Sequence, residues 1–166
     1  MLSEWHDFFL VMGAAAGTLM GSMFVVVSIG SGMVKGSTLA TRIFVTPTIV
    51  HLAVALMACA FVLMPTLSRM SLGTAAGLAG IVFLGYAVRN VFHIHHRDAV
   101  EWSDHLWYGF CPVAAYLIMI GGAVLVLMAR AHAIEMLALA LALLVIGGIR
   151  NAWDLILYFL QKQSTD

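Results

Sequence analysis

The chain has 166 residues, of which 63% are hydrophobic and 10% charged, and its mean hydropathy is +1.02. A soluble domain carries about 25% charged residues, so a water-soluble globule, a disordered chain and a basic nucleic-acid binder are all excluded. Eight basic and eight acidic residues cancel to zero formal charge, so electrostatics implies no acidic partner.

A bilayer core about 30 Å thick is crossed by roughly 20 apolar residues rising 1.5 Å each. Five stretches qualify, at about 8–30, 43–64, 70–92, 106–129 and 133–160. Nothing alternates in the short segments a β-barrel would need. The expectation is an all-α, polytopic bundle of about five spans, with residues 1–166 forming a single transmembrane domain in contact with lipid.

The chain opens with Met1-Leu-Ser-Glu4-Trp-His-Asp7, which is acidic and lacks Lys or Arg. A signal peptide starts with basic residues, so the first span is expected to remain in the mature protein. Span one carries Gly13, Gly17 and Gly21 on one face. Small residues at this spacing let helix backbones approach where lipid supplies no drive for association. That face is expected to pack either within the chain or against another subunit, and a homo-oligomer through it is the expectation.

Span two enters through Thr46-Pro47-Thr48 and then His51, and Cys59 falls near its far end. Span three repeats the small-residue pattern with Gly73, Ala76, Gly77 and Gly80, and leaves through Arg89, Asn90 and His93. Span four enters with Asp104, His105, Trp107 and Tyr108, followed by Cys111 and Pro112. Span five leaves through Arg150, Asn151 and Asp154. The prolines fall in first turns, where a missing N–H costs little. Cys59 and Cys111 differ in depth by roughly ten residues of rise, about 15 Å, so they read as free thiols.

Basic residues set the orientation. Lys35, Arg42, Arg89, Arg97, Arg150 and Lys162 fall at one side and only Arg69 and Arg130 at the other. The positive side faces the cytoplasm, so the N-terminus is expected outside and the C-terminus inside, in a cell inner membrane.

Polar groups of four spans thus converge at one end, while the opposite halves are almost purely apolar. A charge in hydrocarbon costs about 2.5–3.5 kcal/mol on insertion scales, so such groups face the bundle interior and pair. Arg150 and Asp154 are spaced i, i+4 for a local pair. Gly147, Asn151, Asp154 and Tyr158 share a stripe. The pair Arg89-Asn90 is echoed by Arg150-Asn151, two odd-numbered spans presenting similar groups at similar depth. His51, Thr48, Arg89, Asn90, Asp104, Arg150, Asn151 and Asp154 are the candidate pocket, with His51 and Asp154 its titrating pair. A network that merely locks helices together, with Arg89 and Arg150 reaching to the interface, is the competing reading.

A second cluster comprises His93, His95, His96, Glu101 and His105, with Arg97, Asp98 and Asp104 interspersed. Imidazole and carboxylate suit a transition metal, but the spacing matches no metal motif, and a juxtamembrane loop rich in ionisable residues is usually a solvated face. A heme would need His51 and His93 as facing ligands, and nothing favours one. There is no phosphate-cradling glycine loop, serine elbow or CxxC, so no catalytic residue and no cofactor is assigned.

Four segments carry a resemblance: Asp7-Phe-Phe-Leu with Gly13-Ala-Ala-Ala; Thr46-Pro47-Thr48-Ile-Val-His51; Asp104-His-Leu-Trp107 through Pro112 and Tyr116; and Gly148-Ile-Arg150-Asn151-Ala-Trp153-Asp154. In these the chain resembles a family of small bacterial integral membrane proteins with TPTxVH and GI(H/R)NAWD segments. The family implies a multi-span inner-membrane protein and puts weight on His51, Asp104, Asn151, Trp153 and Asp154. It implies no reaction. His is frequent in the family where this chain has Arg150, and its loop is more often Arg-rich than His-rich, against a shared metal site. Three functions follow as expectations: passage or binding of a proton, ion or small polar solute; a metal-dependent membrane enzyme or redox protein; and an accessory subunit docking through its glycine face.

Overall fold

The computed structural model describes residues 2–31, 45–95 and 105–163, and all of them lie in helices or the short turns between them. Five helices run in order: α1 (Leu2–Ser31), α2 (Thr46–Val62), α3 (Arg69–His95), α4 (His105–Leu127) and α5 (Ala133–Gln163). Four of them, α1, α3, α4 and α5, are long and apolar enough to cross a membrane. Among the described residues α2 covers 17 residues, or about 26 Å of rise, and a turn at Pro65 separates it from α3.

The exposed surface is that of a protein whose solvent is lipid. Leu10, Phe24, Ile29, Leu78, Ile81 and Phe92 are each more than half exposed. In water such contiguous apolar surface would drive aggregation; in a bilayer it is the lipid face. Hydroxyls on these faces are capped internally, since an unsatisfied polar group in hydrocarbon costs several kcal/mol. Thr18, Ser22 and Ser28 each donate to the carbonyl four residues back, at 2.9, 2.9 and 2.7 Å. The chain is an integral membrane protein.

α5 is the axis of the bundle. It packs against α1, α2 and α4, and 56% of its apolar span is buried against 17% for α1. Its Gly148 lets α2 come close: a Cβ there would sit 2.5 Å from Leu52 Cδ2. α3 lies on the far side of α4. Its Gly73 and Gly80 leave room for Leu127 and Ile120, which lie 2.6 and 2.7 Å from where a Cβ would stand.

Part of the glycine face of α1 packs inside the chain. Gly13 faces Cys59 and Gly17 faces Leu56, both on α2, whereas Gly21 has open space around it. Of the three positions expected to build an oligomer, two are thereby covered by the chain's own second helix.

α2 and α3 touch only lightly. Between them, toward the Pro65 turn, they leave an apolar groove of about 640 Å³ walled by Ala53, Ala75, Ala79 and Phe83, with Met119 and Leu141 among the residues behind. Connections are tight. Ser68 Oγ accepts the Ser71 N–H at 3.0 Å and caps α3. Between α4 and α5, Ala129 and His132 adopt φ of 53° and 62°.

Candidate functional site

The polar end of the bundle is organised by a missing N–H. Pro112 cannot donate to the carbonyl of Tyr108 four residues back. α4 opens accordingly with wide π turns over His105–Phe110 before tightening at Cys111. Asn90 Nδ2 of α3 donates to this Tyr108 carbonyl at 3.3 Å. The Tyr108 hydroxyl in turn donates to the main-chain carbonyl of Asn151 on α5 at 3.2 Å. One tyrosine of α4 thus links the two asparagines of the Arg-Asn echo. Both asparagines are buried, while Arg89 is exposed and Arg150 partly so.

Asn151 also reaches α2, its Nδ2 donating to Thr48 Oγ1 at 3.2 Å. One turn further along α2, His51 Nδ1 lies 2.7 Å from the Tyr116 hydroxyl. His51 is 4% exposed and Tyr116 fully enclosed. Their rings lie 5.5 Å apart. Tyr86 meets the His51 ring edge-on at 5.9 Å, and Phe83 stacks on Tyr116 at 6.0 Å. These four rings form a layer between the polar end and the apolar half of the bundle.

Below this layer, α2, α4 and α5 enclose a cavity of about 10 Å³ bordered by Thr48, His51, Trp107, Cys111, Gly147 and Asn151. Gly147 keeps it open, because a Cβ there would stand 3.3 Å from Cys111 Sγ. Among the described residues, two buried side-chain atoms have no hydrogen-bond partner: His51 Nε2 and Asn151 Oδ1. Both belong to residues bordering this cavity. Both cysteines are free, as their depths predict.

The structure brings together Thr48, His51, Asn90 and Asn151 from the expected pocket. Arg150 and Asp154 form an i, i+4 ion pair, partly exposed, and neither borders the cavity. His51 is paired with Tyr116, not with Asp154, because the Asp154 carboxylate is taken by its own helix's arginine. Trp153 faces outward, 57% exposed. Asp104 lies outside the described residues.

Of the histidine cluster, His93 is exposed and its Nδ1 donates to the Arg89 carbonyl at 2.8 Å. His105 begins α4 and His95 lies in the last turn of α3, while His96 and Glu101 lie outside the described residues. Among the described residues no three His, Cys, Asp or Glu side chains come together as a metal-ligand set.

The sequence pattern does not single out Tyr116 or the bridging role of Tyr108. A signal for the first is nonetheless present. Tyr116 follows Pro112 by four residues, as His51 follows Pro47, and Pro112 opens the α-helical part of α4 as Pro47 opens α2. Equal spacing from these two prolines places the two side chains at similar depth. Comparison of the chain with family models, with curated proteins and with solved structures finds no match.

Proposed function

We propose that this membrane protein carries a proton into a pocket that opens toward the cytoplasm of a cell inner membrane. The observation that carries this reading is the pairing of a buried histidine with an orphaned Nε2 and a cavity of about 10 Å³ beside it. Among proton, ion and small polar solute, only the proton fits. A cavity of that size takes one water at most, which leaves no room for a larger solute. Thr48, Asn151 and His51 also offer no anionic group to hold a bare cation.

Imidazole exchanges protons through two distinct nitrogens, which suits it to a relay. Asp154 lies one turn beyond Asn151 on α5, toward the end expected to face the cytoplasm, and it receives a proton by releasing its ion pair with Arg150. The ring layer of Tyr86, Phe83, Tyr116 and His51 interrupts water continuity, so a proton crosses it only by way of the His51 imidazole. The excess of basic residues on the polar-end side of the sequence supports this orientation.

The test is proton flux in proteoliposomes loaded with a pH-sensitive dye. The wild-type chain is expected to dissipate an imposed pH gradient faster than empty vesicles, and Asp154→Asn to abolish that flux while still folding. Wild-type flux equal to that of empty vesicles, or full flux in Asp154→Asn, overturns the reading.

A further inference from the structure

We infer that the cavity between α2, α4 and α5 is a binding site for a single water molecule, oriented by His51 Nε2–H and Asn151 Oδ1. The proton reading supplies the use of this water, but the occupancy stands on the hydrogen-bonding needs of the two residues alone.

Tyr116 decides which nitrogen of His51 carries the proton. Its hydroxyl and His51 Nδ1 lie 2.7 Å apart, so one donates to the other. The hydroxyl of the fully enclosed Tyr116 bonds, among the described residues, to His51, so were Nδ1 the donor its hydrogen would have no acceptor there. A buried donor left unmade is costly, and buried polar groups are paired in nearly every case. Tyr116 therefore donates to Nδ1, and the ring proton of the neutral imidazole sits on Nε2. The second nitrogen is thereby fixed as a donor, and it is buried without an acceptor among the described residues.

Asn151 presents the complement. Its Nδ2 is spent on Thr48 Oγ1, which leaves Oδ1, an acceptor, buried and without a donor. Both residues are 4% exposed and border the same cavity. The occupant must accept from Nε2–H and donate to Oδ1. A metal cation fails the first demand because an N–H repels it, and an anion fails the second because an amide oxygen does. A neutral molecule that both accepts and donates meets both. The cavity, at about 10 Å³, is the size class of one water, which needs about 10–15 Å³.

The site makes Tyr116 and Asn151 positioning residues. The first sets the tautomer of His51 and the second holds the water against it. Gly147 is the third requirement, since a methyl group there projects toward Cys111 across the cavity wall.

The experiment is solid-state NMR of the full chain in liposomes with ¹⁵N-labelled histidine, the His51 signals being assigned by their loss in His51→Gln. The wild type is expected to show His51 as the Nε2–H tautomer, with magnetisation transfer from water to that nitrogen. Gly147→Ala fills the cavity without touching either polar group, and should lose the water transfer while keeping the tautomer. Asn151→Leu should do the same by removing the acceptor, and serves if the alanine variant does not fold. Tyr116→Phe should lose the tautomer preference. An Nδ1–H tautomer in the wild type, no water transfer to Nε2, or transfer unchanged in the folded cavity variants overturns the inference. Failure of the proton reading is distinct: it gives no flux while the water signal persists.

Discussion

The two ends of this bundle solve the same packing problem in opposite ways. At the polar end, α2, α3, α4 and α5 are tied by directional bonds. Asn90 reaches Tyr108, Tyr108 reaches Asn151, Asn151 reaches Thr48, and His51 pairs with Tyr116. At the opposite end, α2 and α3 part around an apolar groove of about 640 Å³ whose walls are aliphatic side chains, phenylalanine and methionine. Lipid offers apolar surfaces no drive to leave it, so nothing forces that groove shut. Buried polar groups have no such freedom, because hydrocarbon cannot satisfy them. The polar end is therefore the part of the molecule with a specified geometry, and the groove is the part that tolerates change.

That contrast predicts a graded series of stability effects, each measured by unfolding in detergent. Gly148→Leu is expected to cost most, about 1–3 kcal/mol or more, because a Cβ alone stands 2.5 Å from Leu52 Cδ2. Asn151→Ala follows at about 1–2 kcal/mol, the upper range for an interhelical hydrogen bond in a membrane. Tyr108→Phe breaks one hydroxyl bond to the Asn151 carbonyl and should cost about 0.6 kcal/mol. Ala79→Leu projects into the groove and should change stability by less than about 0.5 kcal/mol. An Ala79→Leu variant as damaging as Gly148→Leu would break the comparison, since the groove would then be as closely fitted as the polar end.

Much of this is legible in the sequence, for reasons that can be named. Span positions follow from apolar length, which depends on the bilayer and hardly on the fold. The convergence of Thr48, His51, Asn90 and Asn151 follows from depth, which helix rise fixes once the ends are known. Partner choice is not legible, because depth says nothing about rotation. Arg150 and Asp154 sit one turn apart and satisfy each other locally, which removes Asp154 from His51. Tyr116 reads as an apolar residue in an apolar span until α2 is placed beside it. The glycine face of α1 is visible as a face, but its occupants are Cys59 and Leu56 of α2, a choice that needs three dimensions. α2 ends at Val62, just short of its apolar run, because the residues flanking Pro65 turn out of the helix.

The decisive measurement is a matched comparison of proton flux in proteoliposomes between His51→Leu and Ala79→Leu, one change at each end. If the polar end carries the proton, His51→Leu abolishes the dissipation of a pH gradient and Ala79→Leu leaves it at the wild-type rate. Flux that survives the loss of His51, or that collapses when only the groove is altered, would contradict it.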